Sequence, residues 1–436
     1  GEREAESEKI MGKNEEKTKN SSKLISIGII IMILFIVCYI IKRLFFSTKT
    51  IDININNINT PIKIKKHYDY LLVGAGLFNA VIADHLVRRG KSILVIERRN
   101  HIAGNCYTEK KHNIDVHVYG PHVFHTSNKE VWDYIRRFGE FKQTCLMTLA
   151  NCDDELYILP FNMHTFYKLF GTKTPEEARK KIQEEIDKEH ITKITNLEEQ
   201  AISMVGRTIY EKLIKGYTEK QWERDCKDLD PSIIKRLPLR FTYNANYFDD
   251  KYQGIPEDGY TSVIKEMYKG VDVLYGVDFL KDKEKWESIA DKVFYSGCID
   301  EYYDYKYGEL QYRNVRFVEK VLDMEDYQGN PVINYPTKKY PYTRITEHKH
   351  FVGNKSNKTI ISEEYSSEWK RGMTPFYPIN DAKNMVLFHK YKAIKNDKVI
   401  FVGRLGQYKY FDMDDTIIEA FTLLEKMGLK KKVESK

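Results

Sequence analysis

Cysteine is scarce in this sequence of 436 residues, and its six cysteines form no Cys-x-x-Cys motif. No group of cysteines and histidines has the spacing of a zinc site. These absences argue against a disulfide scaffold and against a structural zinc domain, and they favour free thiols in a reducing compartment. The cysteines are Cys38, Cys106, Cys145, Cys152, Cys226 and Cys298.

The sequence also has little that suits nucleic-acid binding or nucleophilic catalysis by side chains. Its formal net charge is +7, but lysines and arginines are spread among acidic residues, without an arginine-rich arm or a recognised nucleic-acid module. No Ser-His-Asp arrangement and no obvious pair of carboxylates on one face is present. With 42% hydrophobic residues, the chain can form about two or three domains with cores of their own. We expect neither a metal nor a nucleic acid as ligand.

One long hydrophobic run lies near the N-terminus. Leu24–Ile41 contains no charged residue, and this predicts a membrane anchor over residues 24–46, after a polar tail (1–23) and before a linker (47–66). A signal peptide is disfavoured because no small-residue cleavage site follows the run. A buried core helix is disfavoured because the run is apolar on all faces. We therefore expect a single-pass membrane protein with its large folded part in the cytosol.

A glycine turn follows the strand-like run Tyr68–Val73, and an acidic residue, Glu97, ends the next strand-like run. Gly74 permits the tight turn, and Gly76 lets the backbone approach a pyrophosphate at the N-terminus of the following helix. Glu97 is placed to accept hydrogen bonds from ribose hydroxyls. The combination predicts a pocket for an adenine dinucleotide, and a glycine-rich turn without a ligand is the alternative. Asn79 stands at the third glycine position, which serves helix packing rather than phosphate contact.

Changes of pattern predict the organisation of the remaining chain. Helical periodicity with dense i,i+4 charge pairs marks an insertion, and alternating aromatic and charged residues mark an antiparallel sheet. The predicted segments are a first dinucleotide-binding segment (67–145), a mostly helical insertion with a mobile substrate loop (146–245), a second dinucleotide-binding segment (246–299), an antiparallel substrate sheet (300–395) and a last dinucleotide-binding segment (396–436). The fold class is therefore α/β, with a Rossmann-like domain that the insertion and the sheet interrupt.

Six separated motifs stand out over residues 217–410. They are Tyr217–Trp222, Ile233–Arg236, Asn246–Phe248, Tyr252–Pro256, Pro341–Arg344, and Gly403–Leu405 with Tyr408–Tyr410. In this order they resemble the motifs of UDP-galactopyranose mutase of the bacterial type, and the resemblance covers about residues 67–427. Such an order of separated motifs is hard to obtain by chance.

The resemblance implies an isomerase that holds FAD in the dinucleotide pocket. Such an enzyme interconverts UDP-galactopyranose and UDP-galactofuranose without net redox change. The reduced FAD N5 atom is the nucleophile at the anomeric carbon, and UDP leaves and returns. The resemblance also implies NAD(P)H or another external reductant, a homodimer, and a supply of galactofuranose for cell-surface glycans.

The resemblance assigns roles to individual residues. Arg236 and Arg344 match two diphosphate-binding arginines that offset the charge developing as the C1–O bond breaks. His122 and His125 match histidines beside the flavin. The matched substrate contacts are Tyr217, Thr218, Trp222, Tyr247, Asn334, Arg344, Tyr377 and Tyr410. The matched cofactor contacts, with the glycine turns, are Gly74, Gly76, Phe78, Glu97, Arg98, Gly104, Asn105, His122, Val123, Asp278, Phe279, Arg404, Asp412, Met413, Asp414, Asp415, Thr416, Ile417 and Ile418.

Some features leave alternatives open. The segment 228–232 before Arg236 resembles a mobile loop, and we predict that it closes over UDP and excludes water. Asn79 could loosen FAD binding, and Leu146 and Leu213 could shift the sugar preference toward a deoxy pyranose or an N-acetylated one such as UDP-N-acetylgalactosamine. An FAD-dependent oxidoreductase of related fold and a silent nucleotide-sugar-binding protein are the other possibilities.

Overall fold

The computed structural model describes residues 64–235 and 237–430. The strands are β1 (Tyr68–Val73), β2 (Ile93–Glu97), β3 (Thr108–Lys111), β4 (Ile114–His117), β5 (Phe124–Thr126), β6 (Phe141–Gln143), β7 (Thr148–Cys152), β8 (Glu155–Leu159), β9 (Tyr252–Pro256), β10 (Asp272–Tyr275), β11 (Ala290–Tyr295), β12 (Tyr312–Leu322), β13 (Val332–Asn334), β14 (Arg344–Glu347), β15 (Thr359–Glu368), β16 (Tyr377–Pro378) and β17 (Val399–Phe401). The α-helices are α1 (Leu77–Val87), α2 (Lys129–Ile135), α3 (Met163–Phe170), α4 (Pro175–Asp187), α5 (Leu197–Ile209), α6 (Gly216–Trp222), α7 (Gly259–Met267), α8 (Lys283–Ser288), α9 (Ile299–Tyr302), α10 (Ala382–Lys392), α11 (Gly403–Gly406) and α12 (Met413–Lys426).

A parallel sheet of five strands in the order β10-β2-β1-β11-β17 forms the first layer. All five residues of β2 are buried, as expected of a strand covered on both faces. Adjacent residues of β1 face opposite sides: Leu72 packs with α1 and α12, and Leu71 packs with Trp286 of α8. Strands from three separate parts of the chain therefore build one Rossmann-like layer, which confirms the predicted α/β class.

A second sheet has seven strands in the order β16-β12-β15-β14-β13-β7-β8. Its neighbours are antiparallel except β13 and β7, which run parallel. The long β12–β15 ladder pairs Arg313 with Glu368 at one end and Leu322 with Thr359 at the other. Two of the strands, β7 and β8, come from the segment that leads into the helices α3–α5.

The helices α3–α5 share a core of their own. The first turn of α4 follows from its sequence, because Thr174 is the N-cap, Pro175 the first helical residue and Glu177 the partner in a capping box. At its C-terminal end, α5 continues into a π-helical stretch over Tyr210–Lys215 and then into α6. Insertions of this kind are frequent at functional sites, and α6 borders the large cleft described below.

The prediction of a membrane-spanning protein is wrong for the part of the chain that the structure describes. Within residues 64–235 and 237–430, no helix is both long and apolar enough to cross a bilayer. The predicted anchor over residues 24–46 lies outside the described residues.

Candidate functional site

A cradle of backbone lies at the carboxyl edge of β1. Gly74 has φ +95°, and a Cβ on it would lie 2.1 Å from the Ser296 Oγ atom. A Cβ on Gly104, which has φ +53°, would lie 3.1 Å from the Cα atom of Gly76. The turn at Gly76 and the turn at Gly104 therefore approach each other so closely that a side chain would not fit between them. Gly76 directly precedes the first residue of α1. This arrangement fits a pyrophosphate at a helix N-terminus.

Glu97 lies beside this cradle and is 7% exposed. Its Oε2 atom accepts a hydrogen bond from the Ala75 N–H at 2.7 Å, and its Oε1 atom accepts one from the Arg99 N–H at 2.8 Å. The carboxylate is thus held rigidly at the end of β2, as the dinucleotide prediction requires. The same cavity is lined by Gly74, Gly76, Arg98, Gly104, Asn105, Asp278, Phe279 and Arg404.

Asn79 braces the glycine turn rather than leaving it loose. Its buried Nδ2 group donates hydrogen bonds to the carbonyls of Val73 at 3.0 Å and Gly74 at 2.8 Å. Both carbonyls belong to the glycine turn. With glycine at position 79, they would lose these two hydrogen-bond donors.

Replacing Asn79 by glycine should therefore weaken cofactor retention instead of improving it. We expect a loss of about 1–2 kcal/mol of unfolding free energy from the two hydrogen bonds, together with faster release of the bound dinucleotide. Urea unfolding and the dinucleotide content after dialysis measure these effects. Asn113→Gly is the control, because it removes one exposed hydrogen bond to Lys355 at a residue with φ +62° that glycine tolerates. Tighter retention in Asn79→Gly would contradict the bracing role.

A cleft of about 980 Å³ opens next to the cradle. Gly76, Asn105, Ser296 and Arg404 line both this cleft and the dinucleotide cavity. A ligand that begins at Glu97 can therefore extend past the cradle into the cleft without leaving the protein.

His122 lines the cleft as a neutral imidazole. Its Nδ1 atom lies 2.7 Å from the Gly120 carbonyl, which can only accept, so Nδ1 carries the proton. Burial, together with the nearby Arg404 guanidinium, lowers the pKa of His122 to about 4. The Nε2 atom is consequently a hydrogen-bond acceptor at neutral pH. His125 is held differently, by Asp250 Oδ2 at 2.7 Å from its Nδ1 atom.

Arg344 also lines the cleft, at the start of β14. Its Nε atom donates to the Glu364 Oε2 atom at 2.5 Å, and its side chain is 30% exposed. This contact orients the guanidinium and leaves its other N–H groups for an anionic ligand. Tyr217 is close enough to interact with Arg344, and burial raises the pKa of Tyr217, so its hydroxyl stays protonated.

Aromatic residues complete the wall of the cleft. The rings of Tyr377 and Tyr410 lie 6.2 Å apart at nearly a right angle, and the Arg404 guanidinium lies 4.5 Å from the Tyr410 ring centre. Such rings offer an apolar face and one hydroxyl each, which suits a nucleobase and a sugar.

The structure brings most of the sequence-predicted site residues to these two cavities. Arg236 lies outside the described residues. Thr218 is buried and does not line the cleft, and Asn334 pairs with Arg344 in the sheet without lining the cleft. The predicted residues that line the cleft are Gly76, Phe78, Asn105, His122, Val123, His125, Tyr217, Trp222, Tyr247, Arg344, Tyr377, Arg404, Tyr410, Asp412, Met413 and Thr416. Asp414, Asp415, Ile417 and Ile418 lie on α12 but do not line it.

Sequence reasoning missed several lining residues. Glu364 is the most consequential, because it positions Arg344. In the sequence, Glu364 is one of two adjacent glutamates in a strand-like run. Nothing in that pattern indicates that Glu364, rather than Glu363, faces the cleft. Leu146 and Leu213, which the sequence marked as departures, are buried and do not line the cleft. Other lining residues that were not predicted as site residues include Gln221, Phe248, Phe317 and Phe376.

A Rossmann-like layer with a glycine cradle and a buried acid, continuous with a cationic and aromatic cleft, defines a dinucleotide-dependent enzyme of the α/β class. Comparisons with known proteins agree. Residues 72–138 match the model of an NAD(P)-binding Rossmann-like domain, and residues 212–410 match the model described as UDP-galactopyranose mutase. A crystal structure of reduced UDP-galactopyranose mutase has the same fold, with a TM-score of 0.63 and 12% identity over 84% of this chain and 95% of that one.

Curated relatives define the family more narrowly. A probable UDP-galactopyranose mutase of Klebsiella pneumoniae is 41% identical over 80% of this chain and 92% of its own length. A dTDP-fucopyranose mutase of Escherichia coli is 38% identical over 80% of this chain and 96% of its own. The chain belongs to the UDP-galactopyranose mutase family.

Proposed function

We propose that the chain is an isomerase that interconverts UDP-galactopyranose and UDP-galactofuranose with FAD in the dinucleotide cavity. The observation that carries the proposal is that Arg344, held by Glu364, lines a cleft that opens onto the glycine cradle. An oxidoreductase of related fold needs the cradle and Glu97, but it has no need of an arginine held for a diphosphate. The identity of 41% to a probable mutase supports the same reaction.

The residues of the cavity fit FAD. Gly74, Gly76 and Gly104 would accommodate the pyrophosphate, because a Cβ on Gly74 or Gly104 would meet neighbouring atoms in the cradle. Glu97 would accept from the adenosine ribose. When bound and reduced, the flavin supplies the nucleophile for the anomeric carbon.

The chain itself supplies binding, orientation and charge. Arg344 would hold the diphosphate and offset the negative charge that develops on it as the C1–O bond breaks. Glu364 keeps that guanidinium in place, and Tyr217 and Trp222 would present aromatic faces to the base. Neutral His122 contributes an acceptor without a second positive charge near the sugar. Arg236 is proposed as the second diphosphate ligand on the family resemblance alone.

A different nucleotide sugar is the second candidate substrate. The relative named as a dTDP-fucopyranose mutase is 38% identical, nearly as similar as the UDP-galactopyranose relative. Both reactions exchange a pyranose and a furanose ring on a nucleoside diphosphate, so the same Arg344 chemistry serves either. The two candidate substrates therefore differ only in the nucleoside and in the sugar substituents.

Assaying the full chain with and without dithionite tests the proposal. UDP-galactofuranose, dTDP-fucopyranose and UDP-N-acetylgalactosamine are supplied separately, and the ring isomers are separated by chromatography. We expect turnover of UDP-galactofuranose to UDP-galactopyranose only in the reduced sample, with no consumption of reductant during turnover. Stoichiometric consumption of an oxidant would favour an oxidoreductase, and no turnover in the reduced state would refute the mutase. A faster reaction with the dTDP-sugar would assign the second candidate.

Three further features remain proposals beside this reaction. The loop over residues 228–232 is proposed to close over UDP, and Asp230 and Ser232 lie on the cleft wall where such a movement would act. NAD(P)H or another external reductant is proposed as the electron source, and a homodimer as the assembly.

A further inference from the structure

The ammonium group of Lys220 is enclosed by backbone carbonyls of a single loop. Its Nζ atom donates to the carbonyls of Thr337 at 2.9 Å, Tyr342 at 2.9 Å and Tyr340 at 3.1 Å, and it also contacts the Tyr335 carbonyl. An ammonium group has three hydrogens, so four carbonyls share them. Within the described residues no carboxylate forms an ion pair with Lys220. The carbonyl dipoles are therefore what offsets the cost of removing this charge from water.

The enclosed loop leads directly to Arg344. It spans residues 335–343 and connects β13 to β14, of which Arg344 is the first residue. The Tyr335 N–H donates to the Thr343 carbonyl at 2.8 Å and closes the base of the loop. The Thr343 N–H donates to the Glu364 carbonyl at 2.9 Å, and the Glu364 side chain holds Arg344. The course of the loop therefore sets where the guanidinium enters the cleft.

Helix α6 approaches the same loop at a second point. A Cβ on Gly216 would lie 2.1 Å from the Pro336 carbonyl oxygen, so helix and loop are in direct backbone contact there. The helix also presents Tyr217 and Trp222 to the cleft. Lys220 thus connects the helix that carries the aromatic wall to the loop that carries the arginine.

We propose that Lys220 is a positioning residue that joins the base-binding helix to the diphosphate-binding loop, so that both parts of a nucleoside diphosphate site keep one fixed separation. The inference rests on the proposed function, because it assigns the cleft a nucleoside diphosphate. Lys220 does not touch the ligand in this arrangement. It acts through the carbonyls of the loop and through Arg344.

Replacing Lys220 by methionine tests the proposal, because methionine keeps most of the apolar stem and removes all three donors. We expect the Kd for UDP, measured by calorimetry on the flavin-loaded protein, to rise about tenfold, which corresponds to about 1.4 kcal/mol. The KM for the nucleotide sugar should rise by more than kcat falls, and the flavin content should not change. Lys339→Met is the matched control. Lys339 lies on the same loop, is 50% exposed and pairs at 2.9 Å with Asp154, which is 69% exposed, so we expect its loss to change the Kd less than about twofold.

The pH dependence of UDP binding by the unmodified protein provides a second measurement, and Lys220→Met is its comparison. Burial lowers the pKa of Lys220 to about 8, and a neutral amine has only two hydrogens for four carbonyls. UDP affinity of the unmodified protein should therefore fall as the pH rises through about 8, and the affinity of Lys220→Met should not. In the described part of the chain, the loop itself also carries Lys338, Lys339, Tyr335, Tyr340 and Tyr342. The ionisable groups of neighbouring elements that face it include Glu219, Asp154, Glu363 and Tyr365. Burial raises the pKa of Tyr335, and it raises that of Tyr342 to about 12.

The two possible failures are distinguishable. An unmodified protein that binds no UDP would refute the proposed function and this inference together. An unmodified protein that binds UDP, with Lys220→Met binding equally well and with an affinity that does not change with pH, would refute the inference alone.

Discussion

Arg344→Ala should lower kcat/KM for the nucleotide sugar by about 10³-fold, since removing one preorganised donor from a developing negative charge costs about 10²–10³-fold in related cases. Two effects add. The diphosphate loses its guanidinium, and Glu364, which is 9% exposed, loses the partner that offsets its charge. An uncompensated carboxylate facing the cleft then repels the diphosphate. Steady-state kinetics in the reduced state and UDP binding by calorimetry measure the effect, and the flavin spectrum should stay unchanged.

Two further variants test whether the geometry of the guanidinium or only its positive charge is needed. Arg344→Lys should recover part of the binding, because an ammonium group keeps the charge but cannot make a bidentate contact. Arg316→Ala is the control on the same sheet. Arg316 is exposed, lies 4.2 Å from the Tyr365 ring centre and does not line the cleft, so its loss should leave kcat/KM within about twofold. Equal losses in Arg316→Ala and Arg344→Ala would show that net charge, rather than the held guanidinium, matters.

Gly74→Ala should produce a protein that is purified without flavin. An added Cβ would lie 2.1 Å from the Ser296 Oγ atom, which cannot retreat freely because it donates to the Val73 carbonyl at 2.7 Å. The turn must therefore shift, and the shift moves the carbonyls that Asn79 holds and the Gly76 N–H beside the pyrophosphate position. We expect flavin absorbance to be nearly lost and the unfolding free energy to fall by about 1–3 kcal/mol, as for an L side chain forced into a strained conformation.

Gly90→Ala separates the shift of the turn from backbone strain in general. Gly90 has φ +70°, so alanine is strained there too, but no atom lies within 4 Å of the added Cβ. This variant should lose stability and keep its flavin. Flavin content per chain, measured from the visible spectrum of both purified proteins, decides the matter. A flavin-loaded Gly74→Ala protein would refute the cradle as the cofactor site.

The sequence by itself determined the dinucleotide cavity, because its requirements are local. A strand, two glycines and an acid at the end of the next strand fix the cradle through short-range backbone geometry, and the structure places Gly74, Gly76 and Glu97 as this pattern requires. The ordered motifs likewise predicted the family, and the comparisons confirm it. The membrane prediction rested on the hydropathy of residues 24–46, which lie outside the described residues. Among the described residues, no helix is long and apolar enough to cross a bilayer, so the prediction is wrong for them.

Only the tertiary structure decided how the cleft is assembled. Glu364 meets Arg344 because β14 and β15 pair in one register. A slip of two residues would keep every side chain on its face, so the alternation of one strand does not tell which residue of its partner stands opposite. Asn79, a departure in the glycine motif, proved to brace the turn through two carbonyls. Lys220 reaches carbonyls 115 to 122 residues away along the chain. Such contacts depend on how whole elements pack. Every residue has a backbone carbonyl, so the residue types do not indicate which carbonyls will accept a hydrogen bond.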